Sequence, residues 1–384
     1  MKGHIRRTGK NSWSIVLYLG RTAEGKPKYR WQSIKGGRKD AERELARQLN
    51  SIHSGCFVEP TKLTMAAFLE YWLENHARPS VGAKTLERYV SIINLDLIPG
   101  IGHHTLARLT PLHVQSFYAQ ALSSGRKNGR GGLSGTTVRH IHGLLRQALQ
   151  AAVRLQLVAR NVADAVQPPK KARTEMRVLN QEEVGQLLKA AQGTALHLPI
   201  LVLVTCGLRR GELCGLRWGD LDLKAGTLSV QQSVQQTHEG VFFAPPKTAT
   251  SRRTVLIPAT IVEALRRHKA RQSEHRLRMG PAYKNLDLVF AALDGGPTNP
   301  YALTDGFRRL AQRVGIRAHL HTLRHTHCTQ MLILGTHPKI AAERMGHSSP
   351  SFTMSVYQHA APTMQQELVD KLDRLLREDL EQKP

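Results

Sequence analysis

Two consecutive prolines near the middle of the chain, Pro168 and Pro169, constrain the fold more than any other short segment. Proline lacks the backbone N–H that a helix needs, and its ring clashes with the preceding turn, so a helix stops at this pair. Lys170 and Lys171 follow and keep the segment polar. The sequence therefore predicts a multidomain protein with a linker over residues 166–174, and 384 residues suit two or three domains.

The N-terminal segment, residues 1–57, predicts a small α+β domain. Alternating or strand-like sequence predicts three strands, over residues 4–7, 12–19 and 28–34. A run rich in Ala, Glu, Arg and Leu predicts a helix over residues 38–53, which Gly55 would cap. Basic side chains crowd these strands and turns: Arg6, Arg7, Lys26, Lys28 and Arg30.

The next segment, residues 61–165, predicts an all-α domain. Its pattern predicts four helices, over residues 64–75, 85–97, 111–122 and 136–157. Thr110 before Pro111 is typical of a helix start, because threonine caps free N–H groups and proline suits the first helical position.

The chain is basic along its whole length. It has 55 Lys and Arg against 29 Asp and Glu, a formal net charge of +26. The surplus is +8 in residues 1–60, +8 in residues 61–170 and +10 in the remainder, so it is not confined to a tail. This balance indicates a nucleic-acid partner. A protein that merely coats nucleic acid is the alternative, but 41% hydrophobic residues are enough for buried cores.

Other classes of protein find less support. The cysteines lack CxxC spacing, which argues against a disulfide framework or a structural zinc site. One group resembles a metal site but lacks a carboxylate or paired thiols to complete it: His321, His325, His327 and Cys328. No apolar run reaches the ~20 residues of a membrane span, and no secretory leader is evident. We therefore expect no metal and a cytoplasmic location.

Residues that suit a phosphate lie in the C-terminal half. His321 and Arg324 are three residues apart in a predicted helix, so they share a face, and both donate to phosphate oxygens. Arg209 follows an apolar run, and Glu212 can orient it through an ion pair. If Arg209 and Arg210 both lie in a helix, they point about 100° apart, so one of them faces away from the site.

Three further candidates each have a simpler alternative. Lys247, between predicted strands over residues 227–234 and 254–257, is either a phosphate contact or a proton donor to a leaving oxygen. His347 is either a phosphate donor or the residue that closes a helix after Gly346. Tyr357 is either a core aromatic or a nucleophile; its free pKa is about 10, so nearby cations would have to favour the phenolate.

In order and spacing, these residues resemble the tyrosine recombinase family, which includes the phage integrases. The family pattern is an arginine in T-G-L-R-x-x-E-L, a hairpin lysine, H-x-x-R, L-G-H and a tyrosine. The matching residues lie between about residues 175 and 365: Arg209, Glu212, Lys247, His321, Arg324, His347 and Tyr357. Two departures are small, since Cys206 stands before Gly207 and Met345 replaces the usual leucine.

The resemblance implies a fold for each segment. It implies an arm-type DNA-binding domain over residues 1–57 and a helical, SAM-like core-binding domain over residues 61–165. It also implies a catalytic domain over residues 175–384, mainly α with a small β-sheet. A C-terminal helix over residues 362–377 carries an apolar stripe, which would dock on a neighbouring protomer or on its own domain.

The resemblance also implies a function. The chain would cut and rejoin duplex DNA through a 3′-phosphotyrosine, without a cofactor, as a homotetramer at core and arm-type sites, to integrate and excise a mobile element. An excisionase or a DNA-bending protein would be an accessory partner, and the DNA-bound protein would associate with the nucleoid. The residues expected to contact DNA are Arg6, Arg7, Lys26, Lys28, Arg30, Lys170, Lys171, Arg252 and Arg253. The alternatives are a chromosome-dimer-resolving recombinase and an inactive DNA-binding regulator of the same fold.

Overall fold

The structure is a computed structural model, and it describes residues 3–21, 25–53, 62–126, 129, 131–170, 177–246, 251–347, 369 and 373. The chain divides into two units, Met1–Arg173 and Thr174–Pro384. The three predicted domain boundaries stay a prediction.

The first unit begins with an antiparallel sheet. Its strands pair in the order β1-β2-β3, and they are β1 (Gly3–Gly9), β2 (Ser12–Arg21) and β3 (Pro27–Lys35). Helix α1 (Arg38–His53) covers one face, where Gln48 Nε2 donates to Gln32 Oε1 at 2.7 Å. The three predicted strands and the helix are confirmed.

The opposite face of this sheet is more closed than simple alternation predicts. Ile15 and Leu17 are buried on the side of α1, but Val16, which points the other way, is also buried. Val16 stands opposite Trp31 on β3 and His4 on β1. Because cross-strand partners share a face, we attribute its burial to these larger side chains.

The rest of the first unit is helical. Its helices are α2 (Met65–Trp72), α3 (Ala83–Ile92), α4 (Ile98–Ile101), α5 (Pro111–Ser124) and α6 (Gly135–Arg154). α2 and α3 continue into π-helical segments, Leu73–Ala77 and Ile93–Leu97. Thr110 caps α5 through a hydrogen bond from the His113 backbone N–H, and Pro111 takes the first position. The four predicted helices are confirmed, whereas α4 was not predicted.

The second unit is mainly helical with small sheets. Its helices are α7 (Gln181–Ala191), α8 (His197–Cys206), α9 (Arg210–Cys214), α10 (Ala259–Met279), α11 (Pro300–Arg313), α12 (Leu320–Ile333) and α13 (Pro338–Met345). Its strands are β4 (Leu221–Asp222), β5 (Thr227–Val230), β6 (Ser233–Thr237), β7 (Gly240–Ala244) and β8 (Arg253–Leu256). They form a β4-β5-β8 sheet and a separate β6-β7 hairpin. The prediction of one strand over residues 227–234 is therefore wrong, because the chain changes sheets between β5 and β6.

Two helices bring the site residues together in this unit. α8 is apolar along its length and lies in the core, and α12 packs against it. α12 is buried along most of its length, whereas Leu334, just past its end, is 83% exposed. None of the helices in the described part of the chain is long and apolar enough to cross a membrane.

Candidate active site

A left-handed turn at Gly207 ends α8 and directs the chain into the site. Gly207 has φ 63°, a conformation that favours glycine. A Cβ at this position would stand 2.6 Å from His327 Cδ2 and 2.7 Å from Met345 Sδ. The turn therefore places Arg209 where α8, α12 and α13 meet.

Arg209 precedes helix α9 rather than lying inside it. Its backbone is extended, at φ −74° and ψ 151°, and it forms a capping box with Glu212. The two arginines therefore do not both lie in the helix. The Arg210 side chain is turned elsewhere, where it donates to Thr304 Oγ1 at 2.8 Å and lies over the Tyr301 ring.

Glu212 is a buried carboxylate shared by two arginines. Arg209 donates to it from its backbone N–H at 2.9 Å and from Nη1 at 2.7 Å. Arg253 donates from Nη2 at 2.9 Å and from Nη1 at 3.3 Å. Burial alone would raise the pKa of Glu212, but the hydrogen bonds and charge of Arg253, with the bonds from Arg209, outweigh it and lower that pKa. Glu212 is thus ionised and orients Arg209, as predicted from the sequence.

Arg324 lies deeper, on helix α12, and is 3% exposed. Its guanidinium donates to the carbonyl oxygens of Gly207 and Met345. Both acceptors are neutral, so neither cancels its positive charge.

Three arginines donate hydrogen bonds to successive carbonyl oxygens at the C-terminal end of α13. Arg253 Nε donates to the Arg344 carbonyl at 2.7 Å, Arg324 donates to the Met345 carbonyl, and Arg209 Nη2 donates to the Gly346 carbonyl at 2.7 Å. The last carbonyls of a helix lack partners within the helix and carry partial negative charge. These bonds therefore gather Arg209, Arg253 and Arg324, here called the arginine cluster, beside His347.

His347 follows directly on this helix end. Gly346 adopts the left-handed conformation of a helix cap, and the His347 backbone N–H donates to the Ala342 carbonyl at 3.0 Å. The two readings of His347 are thus compatible, because its backbone closes the helix while its half-buried ring lies by the arginine cluster. Burial, followed by the charges of Arg324, Arg209 and Arg253, lowers the pKa of His347 to about 3.

His321 stands at the surface end of the site. Its ring lies 4.5 Å from the His325 ring, centroid to centroid, in an edge-to-face arrangement. Although His321 is exposed, the surrounding protein removes much of its ring's hydration, and His325 and Arg324 add positive charge, so its pKa falls to about 4. His325 is half-buried beside it.

A second layer supports the turn at Gly207. Arg344 donates to His327 Nε2 at 3.2 Å and to the Thr205 carbonyl at 3.2 Å. Burial and the charge of Arg344 lower the pKa of His327 to about 4, which keeps its ring neutral and able to accept this bond. His327 and Arg344 were not predicted as site residues, because nothing in their spacing separates them from ordinary core positions.

The whole cluster is rich in positive charge. Burial, with repulsion from Arg209 and Arg253, lowers the pKa of Arg324 to about 9. Burial and mutual repulsion disfavour the protonated forms of several groups in this site. A bound anion would offset that repulsion, so such a cluster is typical of an anion site. The geometry therefore suits a phosphate diester at the arginine cluster and His347.

Arg253 differs from its sequence prediction. It was expected at the DNA surface, but its side chain is 6% exposed and bonded to Glu212 and to backbone carbonyls. Its neighbour Arg252 is exposed. The alternation of β8 carries the missed signal, since Arg253 shares a face with buried Val255.

The other predicted DNA contacts do not share one face. Strand parity puts Arg6 on the open face of the N-terminal sheet, and Arg7 and Arg30 on the side of α1. Lys26, Lys28 and Lys170 are exposed. Three predicted residues lie outside the described residues: Lys171, Lys247 and Tyr357.

In the described ranges, no three His, Cys, Asp or Glu side chains are grouped so that they could hold a metal ion. Cys206, Cys214 and Cys328 are buried and not in disulfides. Burial raises the pKa of Cys214 to about 12 and that of Cys328 to about 11, so these thiols stay protonated.

Known proteins are similar to this chain in sequence and in fold. The profile of the phage integrase family matches residues 177–364, and that of the phage integrase N-terminal SAM-like domain matches residues 64–122. A protein named tyrosine recombinase XerC-like, from Caldanaerobacter subterraneus subsp. tengcongensis, is 26% identical over 97% of this chain and 99% of its own length.

Two solved structures share the fold. The Tn1549 transposon integrase in complex with transposon right end DNA has a TM-score of 0.67, is 20% identical, and covers 81% of this chain and 99% of its own. A lambda integrase tetramer bound to a Holliday junction has a TM-score of 0.57, is 18% identical, and covers 92% of this chain and 94% of its own. The predicted fold class is confirmed.

Proposed function

The chain belongs to the phage integrase family and is a tyrosine-type site-specific DNA recombinase, and from that premise we propose that it integrates and excises a mobile genetic element. The observation that carries the proposal is the arginine cluster on the end of α13, with His347 beside it. It provides a desolvated, cationic place for one phosphodiester.

In the proposed reaction, the Tyr357 phenolate oxygen attacks the scissile phosphorus. The bond from phosphorus to the 5′-oxygen breaks, and the DNA 3′-end becomes joined to Tyr357. Lys247 protonates the departing 5′-oxygen, and His321 assists proton movement at the nucleophile. The diester is exchanged for another diester, so the bond energy is retained and a 5′-hydroxyl of the partner duplex can reverse the step.

The arginine cluster stabilises charge in the transition state. Arg209 and Arg324 are held by the helix end before the reaction, so they need no reorganisation as charge develops. His347, whose pKa is about 3, is neutral at pH 7 and donates one N–H to a phosphate oxygen. Removing one such donor costs ~10²- to 10³-fold in rate in comparable sites.

We assign arm-site binding to the open face of the N-terminal sheet. Two large aromatics on this face are exposed, Tyr29 at 53% and Trp31 at 59%. Arg6 lies on the same face by register, two residues along β1 from His4, which pairs with Val16, the cross-strand partner of Trp31. An exposed face that combines aromatics with a guanidinium suits a DNA groove, where a sheet can present both to bases and phosphates.

The assembly and its setting are also proposed. Exchange of four strands between two duplexes needs four active sites, which is the reason to expect a homotetramer on DNA; the lambda integrase tetramer supports it. An excisionase or DNA-bending protein would set direction, and the protein would act in the cytoplasm, where its DNA lies.

The first test is formation of a covalent adduct. The protein is incubated, without added metal, with nicked duplexes from the DNA that flanks its own gene, and products are separated on a denaturing gel. We expect an adduct that Tyr357→Phe abolishes while DNA affinity is kept. Loss of adduct and affinity together would contradict the role of Tyr357, and binding without adduct on every fragment, including the joined ends of the excised element, would favour an inactive regulator.

Chromosome-dimer resolution is the second candidate, which the XerC-like name of one relative favours. A substitution on the open face of the β1–β3 sheet distinguishes the two candidates. An integrase needs its open face for arm sites, so Arg6→Ala should reduce integration of a plasmid that carries the flanking site. Recombination that is efficient on core sites alone and indifferent to this substitution would favour dimer resolution.

A further inference from the structure

Arg253 lies between the Glu212 carboxylate and the C-terminal end of α13. Its Nη atoms donate to both Glu212 oxygens, and its Nε donates to the Arg344 carbonyl at the end of α13. Nη1 also donates to the Ser251 carbonyl at 3.1 Å. One side chain thus joins β8, the start of α9 and the end of α13.

The shared carboxylate makes Arg253 relevant to Arg209. Glu212 is 3% exposed on its side chain, whereas the Arg209 side chain is 38% exposed and reaches the open part of the site. Arg253 is a buried partner for Glu212 and balances much of its negative charge. Glu212 can therefore orient Arg209 without cancelling the positive charge of Arg209. Without Arg253, the buried carboxylate would depend on Arg209, because a buried charge that has lost one partner is costly.

Two readings compete with this one. A direct DNA contact conflicts with a side chain that is 6% exposed. A purely structural ion pair would stabilise the fold without changing the charge that Arg209 offers to a phosphate. The contact to the Arg344 carbonyl, one residue before the carbonyl that holds Arg324, favours a role in the site itself.

We propose that Arg253 is a positioning residue for DNA cleavage, which holds Glu212 and the end of α13 so that Arg209 keeps its charge for the scissile phosphate. The proposal rests on the proposed role of Arg209. It adds to the reaction a buried group that acts through other residues and never touches DNA.

The test uses two nicked duplexes that differ at the scissile group. One has an ordinary phosphate, and the other a methylphosphonate, in which a methyl group replaces a charged oxygen. A cation that neutralises that oxygen is dispensable on the second duplex. Single-turnover adduct formation is measured at saturating DNA for the full chain, for Arg253→Ala and for Arg209→Ala. Arg267→Ala is the control, because Arg267 and its partner Glu263 are both more than two-thirds exposed.

We expect Arg253→Ala to slow adduct formation about 10- to 100-fold on phosphate and only a few-fold on methylphosphonate. Arg209→Ala should show the same pattern with a larger loss, and Arg267→Ala should stay within about twofold on both duplexes. If Arg253→Ala does not fold, Arg253→Lys replaces it, since an ammonium keeps the charge but cannot donate to Glu212 and the Arg344 carbonyl as a fork.

Each failure points to a different claim. An equal loss on both duplexes for Arg253→Ala, with the Arg209→Ala loss relieved by methylphosphonate, would overturn the positioning role and leave the proposed function intact. An Arg209→Ala loss that methylphosphonate does not relieve would instead contradict the proposed role of Arg209.

Discussion

The catalytic unit and the N-terminal sheet use the same residue type in opposite ways. In the arginine cluster, the side chains of Arg253 and Arg324 are buried and are fixed by hydrogen bonds to Glu212 and to backbone carbonyls. On the open face of the sheet, Arg6 is exposed beside exposed aromatics. In the roles proposed above, charge that takes part in chemistry is removed from water and fixed, whereas charge that provides affinity stays hydrated and tolerates replacement.

The largest expected effect is in the arginine cluster. Arg324→Ala should lower the single-turnover rate of adduct formation at least ~10²-fold while DNA affinity changes only a few-fold, because many other phosphate contacts provide affinity. Adduct gels and filter binding on one duplex give both numbers. Arg324→Lys is the control for charge alone and should recover little of the rate. A loss of affinity as large as the loss of rate would remove the distinction between the two regions.

The second expected effect is on stability, and it tests how strongly burial disfavours a positive charge on His327. His327 has a folded pKa of about 4, below its unfolded value of ~6.5, so its contribution to stability is full above pH 6.5 and is lost as the pH falls towards 4. Between pH 7 and pH 5 this histidine alone should reduce the free energy of unfolding by about 2 kcal/mol.

Urea unfolding of the full chain at the two pH values measures this loss, and His327→Gln is the matched variant. The variant should be less stable at pH 7 but lose less on acidification. An identical loss in both proteins would show that His327 is protonated in the folded state and that the interior tolerates charge.

The smallest effect is expected on the sheet. Arg6→Ala should weaken binding to arm-site DNA a few-fold and reduce the salt dependence of binding by about one counterion, with no change in the cleavage rate on saturating core DNA. Arg30→Ala is the control, since Arg30 lies on the side of α1 and near Glu44. Equal effects of the two substitutions would refute the assignment of the open face.

Local sequence predicted much of this fold because several elements are determined locally. Thr110 and Pro111 mark the start of α5, and the prediction for α1 matches its ends. The turn between β5 and β6 was missed because it depends on which sheet each strand joins, which neighbouring residues do not specify.

The site likewise has residues that local sequence predicts and residues that it does not. The spacing of Arg209, Glu212, His321 and Arg324 follows a helical or capping pattern, so it could be recognised from the sequence. The proposed role of Arg253 rests on contacts across 41 residues to Glu212 and 91 residues to Arg344, and one charged residue in a basic strand gives no sign of them.

The three acceptors at the end of α13 belong to the main chain, so no side-chain substitution can delete them. Alanine at position 344 or 345 would leave these carbonyl oxygens in place, and the trace that they leave in the sequence is the demand for a left-handed residue at Gly346. Their spacing is that of consecutive peptide units, so inserting or deleting one residue there would displace the arginines together. Replacing single amides of this segment with esters weakens one carbonyl acceptor at a time. Such replacements would measure the contribution of each carbonyl, which side-chain mutagenesis cannot do.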